Sequence, residues 1–307
     1  MDFALKPKPP FDFNLTLGIY QKFDKDLVDR FDGKTYRRVL LVDEKPYLTQ
    51  TASIGSIENP KLEVEVEPAP STKVQNKIKK SLSFILGIDD NVAAFYKLAE
   101  SDPVMLKLVK IFYGMRAPTT ETVFESLIIA ITEQQLALSI VITFRSRLVK
   151  QYGRTLTVGG ETYYAFPTAF DLAEARVEDI RSMKFSQKKS EAILSVSKLV
   201  SKGKLDLEEM RNWSKDKILE TLTEISGIGP WSANYVMVRG MRRGEGLMAS
   251  DLAVRAAVAD FHRLKDKATV EDAEKILAPY EDYQSYAAYY LTRAYADKKY
   301  QEGLPLE

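Results

Sequence analysis

The 307-residue chain has no cysteine and a single histidine, His262. No disulfide framework, thiolate nucleophile, Cys-ligated zinc or iron–sulfur cluster can be built from it. One imidazole also excludes a zinc site made of several histidines, and Ser-His chemistry would have to run through His262 alone. No apolar run approaches the ~20 residues needed to cross a bilayer. The opening MDFALKPKPPFDF lacks the apolar stretch of a secretory signal, so a cytoplasmic, intracellular protein is expected. Neither sign of charge is in excess: Lys and Arg total 44 against 43 Asp and Glu, a formal charge of +1. That rules out a protein coated in basic charge. It leaves room for a local basic face that releases counterions from phosphates.

What is present is the balance of a folded chain, 45% hydrophobic and 28% charged, long enough for about two domains. Asn14–Tyr20, Tyr36–Val42 and Leu62–Val66 alternate or run in β-branched and aromatic types between Gly, Pro, Asp and Asn breaks. They predict a small antiparallel sheet, with one helix near Asp24–Phe31. EPAPST, Glu67–Thr72, reads as a linker. From Val74 onward the apolar period is that of helices, among them a long one over Glu121–Tyr152 and others over Gln187–Ser201, Lys215–Glu224, Ser232–Arg243 and Asp251–Phe261. Gly153–Pro167 reads as a loop or small hairpin between helices. The expected class is α+β: an antiparallel sheet domain over residues 1–73, then an all-α region over 74–307 that can split into two helical subdomains.

The stretch that carries chemistry is LTEISGIGPWSANYVMVRGMRRGEGLMASDLAVRAAV, Leu222–Val258. A helical run stops at Ser226-Gly227-Ile228-Gly229-Pro230, and a second helix starts near Trp231. Glycines at alternate positions let the backbone turn tightly and approach another surface, and Pro230 sits where no N–H is needed. The free N–H groups near Gly229, Trp231 and Ser232 form an anion site that a DNA phosphate fits. The carbonyls of Thr223, Ile225 and Ile228 are candidates to hold a monovalent cation between protein and phosphate. A plain helix–turn–helix connection with a glycine stop is the competing reading. Further on, Ser250 or Asp251 caps a new helix. Asp251 is therefore either a cap alone or a carboxylate held by helix N–H groups and facing a pocket beside the hairpin.

These residues together resemble the helix-hairpin-helix plus Gly/Pro-Asp signature of the base-excision DNA glycosylase superfamily. The likeness is strongest to the 3-methyladenine DNA glycosylase II (AlkA-type) branch, through Pro230–Tyr235, Phe166–Ile193 and the opening PPFDFNLTLGIYQKF. The resemblance implies that Gly227, Ile228, Gly229, Trp231 and Ser232 grip the DNA backbone and that Asp251 is catalytic. It implies further that Gln135, with Leu136 beside it, wedges into the duplex, and that Trp231, Tyr235 and Tyr283 wall the base pocket. Tyr283, Tyr286 and Tyr290 share one helix face, for which core packing is the plain reading. Of the basic residues Arg239, Arg242, Arg243, Lys184, Lys188 and Lys189, the expected phosphate contacts are Lys188, Lys189 and Arg242; a solvated helix face is the alternative. The bifunctional branch carries a Schiff-base lysine just after its hairpin glycines, where this chain has Trp231.

The resemblance thus points to a monofunctional enzyme without a cofactor, acting as a monomer on double-stranded DNA and removing alkylated bases such as 3-methyladenine and 7-methylguanine. The rivals are an oxidised- or deaminated-base glycosylase of the same fold and a non-catalytic binder of DNA structure, which would have no need of Asp251.

Overall fold

The computed structural model describes residues 2–22, 25–246 and 248–297. Five strands, β1 (Asp2–Leu5), β2 (Arg30–Phe31), β3 (Thr35–Val42), β4 (Lys45–Ser53) and β5 (Leu62–Glu67), form one sheet in the order β1-β5-β4-β3-β2, every pair antiparallel. In β5 the alternation is complete: Leu62, Val64 and Val66 are buried and Glu63, Glu65 and Glu67 exposed. The apolar face packs on α2 (Thr72–Leu86) through Ile78, Leu82, Ile85 and Leu86, each of which contributes about 1.5–3 kcal/mol by leaving water. α2 runs across the boundary expected after residue 73, and most of it closes the core of the sheet.

Two expectations near the N-terminus fail. Asn14–Tyr20 is not a strand: Asp12 accepts the N–H of Leu15 and caps a short helix, α1 (Phe13–Leu17), followed by a 3-10 turn at Tyr20–Lys22. No helix occupies the stretch near Asp24–Phe31. Residues 25–29 are turn and bends and Arg30–Phe31 pair with β3; Asp24 itself lies outside the described residues.

Helices follow in two groups. One core gathers α5 (Val123–Glu133), α6 (Leu138–Tyr152), α7 (Ala169–Ala173), α8 (Val177–Ser182), α9 (Gln187–Ser201), α10 (Lys215–Thr223) and α11 (Pro230–Met241). The other gathers α3 (Val92–Ala99), α4 (Pro103–Ile111), α12 (Leu252–Phe261), α13 (Val270–Leu277) and α14 (Gln284–Ala296). The helix expected over Glu121–Tyr152 is therefore two, α5 and α6, broken at Gln134–Ala137 with Gln135 at φ +55°. Gly153–Pro167 contains a hairpin, β6 (Thr155–Val158) with β7 (Glu161–Tyr164), whose Tyr163 packs with Val39 and Leu48 of the sheet. α5 and α11 approach closely because Gly240 faces Ser126; a Cβ there would stand 2.7 Å from that of Ser126. Among the described residues no helix is long and apolar enough to cross a membrane.

A buried charge cluster fastens the sheet to α5. Arg38 of β3 donates to Asp29 at 2.7 Å and to Glu125 at 2.5 Å. Beside it, burial and the carboxylates of Glu125, Glu208 and Asp29 outweigh the attraction of Arg38 and push Glu121 up to about 8. The folded state thus holds a proton that the unfolded chain releases above the ordinary carboxylate range. Stability from Glu121 is complete at low pH and lost as pH rises through about 8. Glu121→Gln should be more stable relative to the wild type at pH 8 than at pH 5, as read by urea unfolding. An equal difference at both values would mean that Glu121 ionises without hindrance.

Candidate active site

Between the helical groups runs a cavity of about 320 Å³, and a groove opens outside it. Asp251, Ala253 and Glu133 line both, so the Asp251 carboxylate stands where groove meets cavity. It is the N-cap of α12. Its Oδ1 accepts the N–H groups of Ala253 at 2.8 Å and Val254 at 3.2 Å, and its Oδ2 accepts the indole N–H of Trp231 at 2.9 Å. The cap and the pocket-facing carboxylate are one residue: one oxygen holds the helix end and the other is oriented by the tryptophan.

Trp231 reaches that position because the hairpin places it in the first turn of α11. The N–H of Ile228 closes the turn on Ile225, Gly227 turns the chain at φ +89°, and Gly229 caps α11 ahead of Pro230. The two glycines serve different ends. A Cβ on Gly227 would lie 2.9 Å from that of Ala192, whereas one on Gly229 would meet nothing within 4 Å. Ile228 is buried in the core, so it offers the surface only its backbone. The N–H groups of Trp231 and Ser232 belong to the first helical turn, where no intrahelical acceptor exists. The carbonyls of Thr223, Ile225 and Ile228 follow the C-terminal end of α10, the end that favours a cation; that of Ile225 already accepts one N–H. Among the described residues no three His, Asp or Glu side chains cluster as a metal site.

The break between α5 and α6 is held by the hairpin. Gln134 Nε2 donates to the Gly227 carbonyl and to Ser232 Oγ, both at 2.9 Å. The Lys189 amine donates to the carbonyls of Thr132 at 2.8 Å and Gln134 at 2.6 Å, capping the end of α5. This loop presents Gln135 and Leu136 to solvent at the rim of the groove, with Leu136 39% exposed.

Three expected site residues are placed elsewhere. Lys189 is half-buried and spends two of its three N–H donors on the carbonyls of Thr132 and Gln134, where it fastens the end of α5. Arg242 is spent too, on the carbonyls of Phe84 and Ile85, on Thr119 and on Asp90. Tyr283 is not on the cavity; its ring packs on Phe95 at 6.2 Å in the core that α14 shares with α3. Lys188 is exposed on α9. Trp231 and Tyr235 are brought together, their ring centroids 5.5 Å apart.

Sequence reasoning missed the rest of the cavity: Tyr20, Asp26 and Asp29 from the N-terminal region, Glu133 and Arg145 beside the helix break, Arg239 on α11 and Tyr289 on α14. Arg145 pairs with Glu133 at 2.9 Å and lies 3.6 Å from Asp26. Burial and the Glu133 carboxylate push the Tyr235 phenol well up. One signal was available. Trp231, Tyr235 and Arg239 recur at helical spacing, which puts all three on one face of α11.

Residues 128–281 match the HhH-GPD superfamily of base excision DNA repair proteins. The chain is 26% identical over 287 residues to the DNA-3-methyladenine glycosylase of Bacillus subtilis, covering 92% of this chain and 93% of that protein. The 3-methyladenine DNA-glycosylase of Archaeoglobus fulgidus superposes with a TM-score of 0.85 at 23% identity, over 95% of this chain and 98% of the other. An 8-oxoguanine glycosylase/lyase of Clostridium acetobutylicum, in complex with double-stranded DNA, gives 0.76 at 17% identity over 97% and 98%. The match to the family model spans half of the chain and takes in the hairpin and the Asp251 cap, and the chain belongs to the HhH-GPD superfamily of base excision DNA repair proteins.

Proposed function

We propose that this protein is a monofunctional DNA glycosylase that flips alkylated bases of the 3-methyladenine and 7-methylguanine type out of duplex DNA and removes them by hydrolysis. The observation that carries the reading is the Asp251 carboxylate at the junction of groove and cavity, bonded to Trp231. A target base cannot be reached inside the stack. The hairpin N–H groups around Gly229 hold the backbone, Gln135 and Leu136 fill the gap, and the base enters the cavity past Trp231 and Tyr235. N-alkylation gives the base positive charge and makes it a good leaving group, so little acid assistance is needed. Its departure leaves an oxocarbenium-like sugar, which Asp251 stabilises while it orients or deprotonates the attacking water. The name of the Bacillus subtilis relative supports the alkylated-base class.

The deciding experiment measures abasic-site formation on methylated duplex DNA beside duplexes containing 8-oxoguanine or hypoxanthine. Release of methylated bases in preference to the other two is expected; the reverse preference would replace this reading with the oxidised- or deaminated-base one. The same reaction should stop at the abasic site. Among the described residues no lysine lines the cavity or the groove, so borohydride should trap no covalent adduct and strands should break only after alkali. Trapping by the unmodified protein would overturn the monofunctional assignment.

The hairpin gives a separate expectation. Because a Cβ at Gly229 points into open space, Gly229→Ala should leave the fold intact. It should nonetheless weaken binding to damaged and undamaged duplex alike, since a phosphate contact carries no base information. Fluorescence anisotropy on both duplexes reads this directly, and unchanged affinity on both would reduce the hairpin to a structural turn.

A further inference from the structure

The cavity contains polar groups that the excision chemistry leaves unused. Arg239 lines it from α11, with Tyr235, Tyr20, Tyr289 and Glu133 as its electrostatic neighbours. Among the described residues its guanidinium makes no hydrogen bond and no ion pair. Among the described residues the Tyr289 hydroxyl is buried without a hydrogen-bond partner, and the Tyr20 hydroxyl has none either. Every carboxylate on the cavity, by contrast, is engaged: Glu133 and Asp26 by Arg145, Asp29 by Arg38, Asp251 by Trp231 and the start of α12. A guanidinium cannot shed its proton to escape burial. Arg239 is half-buried on the cavity wall, so its charged donors stay available to a ligand that supplies an acceptor.

We propose that Arg239, flanked by Tyr20 and Tyr289, reads an exocyclic carbonyl oxygen of the flipped-out base, so that the cavity favours alkylated guanine over alkylated adenine. This rests on the excision reading above and narrows its substrate. A carbonyl oxygen has two lone pairs and takes two donors. The corresponding edge of adenine presents an amino group, which sets donor against donor. The region before β2 acquires a purpose here, because Tyr20 brings one of the three donors from outside the helical groups.

The test uses methylated duplex DNA and separates the released bases by chromatography, so that 7-methylguanine and 3-methyladenine rates come from one reaction. Wild-type protein should release 7-methylguanine with the higher kcat/KM. Arg239→Met should lower the ratio of 7-methylguanine to 3-methyladenine release about 10- to 100-fold, the effect of one hydrogen bond from a charged donor. Tyr289→Phe, which removes only a hydroxyl, should move the ratio the same way by less. A ratio within one reaction is unaffected by any loss of folded protein. Release of both bases by the wild type, with the ratio unchanged in both variants, overturns this proposal alone. A wild type that releases neither base overturns the excision reading and this one with it.

Discussion

Asp251→Asn should reduce single-turnover base release about a thousand-fold or more while leaving the fold and affinity for abasic-site DNA nearly intact. The fold survives because Asn caps a helix about as well as Asp. The oxygen that accepts from Ala253 and Val254 can be retained, at a cost below about 1 kcal/mol. What is lost is on the other side of the group. Oδ2 accepts the indole N–H of Trp231 and faces the junction of groove and cavity. The new amide would turn N–H toward N–H there, and no negative charge would remain beside the sugar as it becomes cationic. Measuring release, thermal melting and abasic-DNA binding on the same preparation separates these contributions. Base release within a few-fold of wild type would move the catalysis away from this carboxylate. A collapse of melting temperature would show that the cap, not the charge, was the larger effect.

How much of this was legible in the sequence depends on how local each cause is. α9 is found at its observed bounds because its apolar period is regular and Ser186 caps it, accepting from the N–H of Lys189. The hairpin and Asp251 were legible for the same reason, since glycines, a proline and a cap act on their own neighbours. α1 was not: five residues are too few to display a helical period, and Leu15, Leu17 and Ile19 mimic a strand's alternation. The break after α5 was marked only by the polar pair Gln134-Gln135 in an otherwise apolar stretch, which suits a helix end or bend. No glycine or proline marks it, and the bonds that hold it come from Gly227, Ser232 and Lys189, far along the chain. Around the start of α14 the spacing correctly puts Tyr283, the residue before the helix, with Tyr286 and Tyr290, all three against Phe95. That face is core, so Tyr289 and not Tyr283 meets the cavity. The cavity wall is assembled from the N-terminal region, α5, α6, α11 and α14, and no single stretch announces it.

Arg38→Met should destabilise the protein by about 3–5 kcal/mol, the usual cost of removing one partner from a buried ion pair. Arg38 is 1% exposed and its partners Glu125 and Asp29 are 3% and 12% exposed, so water cannot replace the guanidinium. Burial already holds Glu125 above the ordinary carboxylate range even with Arg38 bonded to it. Without that cation Glu125 and Asp29 would repel one another, with Glu121 alongside. The sign of the pH dependence follows. The deficit should be largest at high pH, where the abandoned carboxylates carry charge, and should shrink as pH falls and they take up protons. Adding Glu125→Gln should recover part of the loss at neutral pH and little at acid pH. Urea unfolding of both single variants and the double, at two pH values, measures the coupling. A deficit below about 1 kcal/mol that ignores pH would place the pair in the class of solvated surface bridges. The consequence would extend to the site, because Asp29 is both a partner of Arg38 and part of the cavity lining. Loosening the sheet from α5 therefore opens the wall to which Tyr20 and Asp26 also belong, and base release should fall under conditions where the helical groups remain folded.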